Sequence, residues 1–224
     1  MTGYPGSPKL IKAAIISIPA GVPVPSVVVL QYNPEQLSRT IAPKYVQTPG
    51  VPLGGELLAG PPEETINLTA KISAVDQLAG SSLVAGEFGI YPQLAALEVI
   101  MYPQSLTVIS NLKKMALGIL EIVPPNMPLT LFVWGLKRVV PVQLTGYSVT
   151  ETLHDPNLNP VNADVSLTFR VLTYQEYTAT QPGFYVSVAN LVSRELLSAL
   201  NLATSAKAGV THDVLTVAQK AVGL

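Results

Sequence analysis

The sequence predicts a mainly β protein: an antiparallel β-sandwich or distorted barrel with one flanking helix and a helical C-terminal extension. Three observations predict it. Residues 129–173 read as a strand followed by a long hairpin. Its last arm sets Val165, Leu167, Phe169 and Val171 on one face and Ser166, Thr168 and Arg170 on the other, the period-2 pattern of a half-buried strand. Residues 64–74 alternate as cleanly, with Ile66, Leu68, Ala70 and Ile72 inward and Asn67, Thr69, Lys71 and Ser73 outward. After Gly183 the alternation gives way to helical spacing. The chain divides accordingly into a β domain, residues 1–177, and a helical extension, residues 178–224.

In order, residues 1–10 read as a loose arm rich in Gly and Pro, and residues 11–18 as a first strand ended by a Pro-rich turn. Residues 27–32 form a second strand closed by Asn33 and Pro34, where the Asn33 side chain is placed to satisfy backbone groups. Residues 42–62 lack any period and read as a long loop, uncommon inside a compact domain unless it is used. Leu53, Leu57 and Leu58 make it greasier than a linker, so it is expected to pack on an adjacent subunit.

Residues 91–101 fit a helix, with Pro92 in its first turn and Leu94, Leu97 and Met101 on one stripe. Residues 105–123 have near-helical spacing, then prolines lead to the strand at Leu129. Trp134, the only tryptophan, ends that strand as a core anchor. In the next arm, Val142 and Leu144 share one phase and Tyr147, Val149 and Leu153 the other. That change requires an extra residue, and Gly146 marks a β-bulge or bend. Residues 154–162 (HDPNLNPVN) are a tip too rich in Pro and Asn for a ladder, and long enough to project. Tyr174 and Tyr177 follow as rim residues. Gln181, Pro182 and Gly183 read as a linker before a helix over residues 186–203, with Val188, Val192, Leu196 and Ala199 in one apolar row. A short second helix follows Gly209, capped by Thr211.

Composition narrows the function. Of 224 residues 48% are hydrophobic and 12% charged, about half the usual charged fraction. Buried subunit interfaces account for so few charges, the alternative being a compact monomer with a neutral polar surface. A net charge of -1 gives no footprint for nucleic acid or an anionic membrane. With no cysteine there is no disulfide, zinc–thiolate site or thiol nucleophile. No apolar run reaches transmembrane length, so no membrane insertion is expected.

Chemistry finds little footing. His154 and Asp155 are adjacent, so on an extended chain they point apart, and an Asp before a Pro serves backbone bonding in turns. His212 has no ligand partner at metal spacing. No nucleophile elbow, phosphate loop, dinucleotide fingerprint or zinc-protease motif occurs, and the Gly54–Gly55 pair lacks the strand-to-helix setting of a phosphate loop. No enzyme activity, cofactor or metal is expected.

Two segments carry a resemblance. A strand ending in Trp134–Gly135, a second strand, a tip with Asp155–Pro156, Pro160 and Ala163, and a closing alternating strand is similar to the tube-type domain of contractile injection systems, the phage-tail-like particles. Upstream, VVVLQYNPEQLSRTI resembles the same family, in which an apolar strand runs into an aromatic-Asn-Pro-Glu turn and a Leu-Ser strand. The resemblance covers roughly residues 15–174. It implies a tail-tube fold that assembles into six-membered rings whose sheets line a continuous inner barrel. It also implies a structural role, with inner tube, spike hub and baseplate wedge proteins as partners, assembled in the bacterial cytoplasm and kept there or released with the particle.

Major tube subunits end near the last barrel strand, whereas this chain continues about fifty residues past Tyr174. That favours a baseplate adaptor joining tube to spike hub. Adaptors of this type often end in a LysM-like module, and VTHDVLTVAQKAVGL resembles its first part without the second helix and strand that complete one. The other readings are a major inner tube subunit and a monomeric β-sandwich binding module. The expected interface residues are Asn33, Pro34, Leu53, Leu57, His154, Asp155, Pro156, Asn157, Asn159, Pro160 and Tyr174.

Overall fold

The computed structural model describes residues 11–19, 25–46, 57–80, 82–102, 105–118 and 127–207. Seven strands form one antiparallel sheet: β1 (Ala14–Ile18), β2 (Ser26–Val29), β3 (Leu37–Ala42), β4 (Glu63–Ser73), β5 (Leu129–Val133), β6 (Val139–His154) and β7 (Pro160–Val171). Their order is β2-β1-β5-β6-β7-β4-β3. The mainly β, antiparallel class is as the alternation predicts. The two packed sheets or closed barrel are replaced by a single open sheet. Closure requires every strand to have two neighbours, and among the described residues β2 pairs only with β1, and β3 only with β4.

Strand β6 joins the two halves. Val139 to Val142 pair with β5, and Val142 to His154 pair with β7. The ladder slips between Leu144 and Gly146, so Thr145 is the extra residue of the expected bulge. Before it Val142 and Leu144 face the core; after it Tyr147 and Val149 do, opposite Leu167 and Val165. Gly146 suits the slip because a Cβ there would come within 3.0 Å of Thr168. Phe132 of β5 and Phe169 of β7 stack at 5.3 Å, although β6 lies between their strands. Strands two apart in a flat sheet lie about 9.6 Å from each other, so the sheet is concave towards this pair. Trp134 packs beside Phe132 at 5.9 Å as the expected anchor.

The inward positions of β4 and β7 follow the predicted phase. Ile66, Leu68, Ala70 and Ile72 meet Phe169, Leu167, Val165 and Ala163 across the ladder, and all are buried. Each large side chain contributes about 2 kcal/mol by leaving water. The opposite face carries Thr65, Asn67, Thr69 and Lys71 against Arg170, Thr168, Ser166 and Asp164, continued on β6 by Ser148 and Thr150. It is hydroxyl-rich and exposed or half-buried throughout.

The helices are α1 (Val75–Ala79), α2 (Leu83–Phe88), α3 (Tyr91–Glu98), α4 (Ser105–Ala116) and α5 (Pro182–Lys207). Helix α3 is the predicted flanking helix: Pro92 sits in its first turn, and Leu94 and Leu97 are buried. Short α1 and α2 lack the length for a readable period. Helix α4 confirms the near-helical spacing as far as Ala116; residues 119–123 lie outside the described residues, as do Leu53 and the helix expected after Gly209.

The ends of the 42–62 segment are not a plain loop. Val46 N donates to Leu57 O at 3.0 Å and Ala59 N to Lys44 O at 2.7 Å, extending the β3–β4 hairpin. The expected linker at residues 181–183 is instead the entrance of α5. Pro182 occupies the first turn, where its missing N–H costs nothing. Gly183 is buried because the Tyr177 ring lies where a Cβ would stand.

Candidate interaction surfaces

The hairpin tip is tighter than its sequence implies. His154 pairs with Pro160 and Thr152 with Asn162, which leaves a five-residue turn, Asp155 to Asn159. Pro160 fits the ladder because proline is tolerated at the start of a strand. Asp155 organises the turn. Its Oδ1 accepts from Asn157 N and Asn159 N, both at 2.8 Å, and its Oδ2 accepts from Asn159 Nδ2 at 2.8 Å. The Asn159 side-chain bond, with the backbone N–H groups of Asn159 and Asn157, holds this carboxyl below its ordinary value. Asp155 is thus a turn-former, while the His154 imidazole lies 3.6 Å from the Glu151 carboxylate.

The start of β7 is also committed within the chain. Asn159 Nδ2 donates to Glu87 O at 3.0 Å, and Ile90 N to Pro160 O at 3.0 Å. Gly89, at φ 57°, lies so close to Pro160 O that no side chain fits there. Asn159 and Pro160 therefore anchor the α2–α3 junction. The groups the tip turns outward are Leu153 and Leu158, 66% and 75% exposed. Both have left-handed backbone, φ 57° and 65°.

Asn33 is likewise used internally. Its Oδ1 accepts from Ala13 N and its Nδ2 donates to Ile11 O, both at 3.0 Å, so one amide clamps the entry to β1. Tyr32, Pro34 and Glu35 line an open groove of about 920 Å³ together with Thr69, Lys71 and Ser166 of the polar face. Leu57 is exposed on the β3–β4 extension.

The junction of sheet and extension centres on Glu64, which the sequence reading passed over. The residue is only 4% exposed. Arg39 Nε lies 3.0 Å from Oε1 and Arg194 Nη2 2.7 Å from Oε2. A readable signal exists: Glu64 is in phase with Ile66 and Leu68, and an acid at an inward position needs a partner. Nearby, Arg170 bridges Gln143 at 2.9 Å and Glu176 at 2.8 Å. Tyr174 opens the short 3-10 turn beside a small apolar cleft shared with Leu191 and Pro141. Burial pushes the Tyr177 phenol up to about 12.

Helix α5 meets the sheet through an unexpected face. Gly183, Ser187, Asn190 and Arg194, spaced four, three and four, form one buried or half-buried row of small or polar residues, with Phe184, Val186 and Val188 half-buried beside it. The predicted apolar row lies opposite: Val188 is half-buried, while Val192, Leu196 and flanking Leu191 and Leu200 are exposed. From Glu195 to Asn201 every side chain is exposed.

The structure therefore gathers the expected residues not into one site but into a tip, a groove and a junction. Among the described residues no group of three His, Asp or Glu is arranged to hold a metal. None of their helices is long and apolar enough to cross a membrane. Fold and surfaces together define an open-edged antiparallel β domain with a helical arm. No protein-family model matches the chain, and no curated protein matches it.

Proposed function

We propose that the chain is a structural ring subunit of a contractile injection system baseplate, joining the inner tube to the spike hub. The open sheet is the observation that carries this reading. Antiparallel β2 and β3 leave a row of backbone donors and acceptors without partners among the described residues. Such edges pair with another chain unless they are blocked. In β2 (SVVV) there is neither a charge nor a proline to block it. Head-to-tail contacts that close by rotation make rings. The hydroxyl-rich face then suits a water-filled lumen, and the apolar face is already filled by core and α3. Helix α5, running beyond the last strand, favours the adaptor over a major tube subunit. Imaging of the purified chain tests this. Six-membered rings with a central opening are expected, and a uniform single-copy protein overturns the proposal in favour of a monomeric β module.

A further inference from the structure

We infer that Leu153 and Leu158 of one copy dock on the exposed apolar row of α5 in the next copy. Both leucines hold a backbone conformation that a side chain disfavours and that Gly or Asn would adopt more easily. Such strain persists only where the surrounding structure imposes it, here the turn built on Asp155, and Gly or Asn would carry the same turn with less of it. Yet both side chains are turned to solvent in the single chain, so the contact that uses them lies outside it. Helix α2, tied to the tip through Asn159 and Glu87, adds Leu83 and Val84, also exposed.

The complementary surface is on the same molecule. Between residues 184 and 206, α5 carries only two charged side chains, Arg194, which is engaged by Glu64, and Glu195. Its exposed side includes Tyr185, Val192, Leu196 and Leu200. Tip and helix stand at opposite ends of β7, whose twelve residues span roughly 40 Å. Two apolar surfaces at opposite ends favour a head-to-tail contact over a two-fold one. The inference rests on the ring proposal and names the residues of the contact between neighbouring copies.

Native mass spectrometry of the full chain tests it with two variants. One is Leu153→Asn with Leu158→Asn, which relieves the backbone and so keeps or raises the melting temperature. The other is Leu196→Gln with Leu200→Gln, on exposed helical positions. Wild type is expected as six copies, and each variant alone should lose association at least about tenfold. An equal mixture should recover two-copy complexes, because one intact tip still meets one intact helix. Variants that assemble like wild type, or a mixture no heavier than its components, overturn the inference and leave the ring proposal standing. A wild type found only as single copies overturns both.

Discussion

Arg194 of α5 reaches back 130 residues to Glu64 of β4 and holds its carboxylate at 2.7 Å, while Arg39 of β3 takes the other oxygen at 3.0 Å. The helix is thereby tied to the sheet by a buried acid, beside the cleft where Leu191 meets Pro141 and Tyr174. Removing one member of a buried ion pair leaves an uncompensated charge. Since both arginines are about one-third exposed, the cost is reduced by solvent. Glu64→Ala should lower the unfolding free energy by about 2 kcal/mol, measured in urea. A change below about 0.5 kcal/mol would show that the carboxylate is idle.

The same geometry divides the extension in two. A chain stopped after Glu195 loses, among the described side chains, only exposed ones, so its stability should stay within about 0.5 kcal/mol. A chain stopped before Pro182 uncovers Pro141 and Tyr174 and removes Arg194, leaving the Glu64 carboxylate with Arg39 alone, and it should melt several degrees lower. Equal melting of the two truncations would place the whole helix outside the fold.

Gly183→Ala puts propensity against packing. In an exposed helix the change gains about 1 kcal/mol. Here the new methyl meets the Tyr177 ring, so a net loss of about 1–3 kcal/mol is expected. Adding Tyr177→Ala should relieve the clash, so the second substitution costs less in the Gly183→Ala background than in wild type. Additive losses by chemical denaturation would show that the ring and the glycine do not meet.

Two pH responses follow, with opposite signs. The carboxyl of Asp155 titrates below its ordinary value of 3.8 in the fold. Its contribution to tip order is therefore present above that value and lost as pH falls through the lowered one. The amides of Asn157 and Asn159 should lose protection there, as read by NMR. Burial, followed by the nearby charge of Glu98 at Tyr147 and of Glu176 at Tyr177, raises both phenols to about 12. Their contribution is intact below the ordinary value of 10.0 and lost as pH rises towards 12. Absorbance titration should show both ionising late; ordinary ionisation of either would mean that its burial is only partial.

Legibility followed locality. Alternation placed the inward faces of β4 and β7, and the change of phase at Gly146 placed the bulge, because both are properties of consecutive residues. Pro92 and the Leu94–Leu97 spacing likewise placed α3. What remained hidden depends on partners far apart in the chain. Asn33 reads as a turn residue, but its amide is satisfied by Ile11 and Ala13. Pro160 reads as a ladder breaker, but its carbonyl receives Ile90 N. Gly183 reads as a linker until the Tyr177 ring is seen against it. The leucine row of α5 was legible as a row, but not the face by which the helix docks, which centres on Gly183, Ser187, Asn190 and Arg194.

Hydrogen exchange at the two sheet edges, Ser26–Val29 and Leu37–Ala42, tests the ring proposal most directly. If neighbouring copies complete the sheet, the outward amides of both strands should slow by roughly tenfold or more between dilute protein and concentrated assembly, while the already paired β7 changes little. Edge amides that exchange at one rate in both states would contradict edge-to-edge assembly.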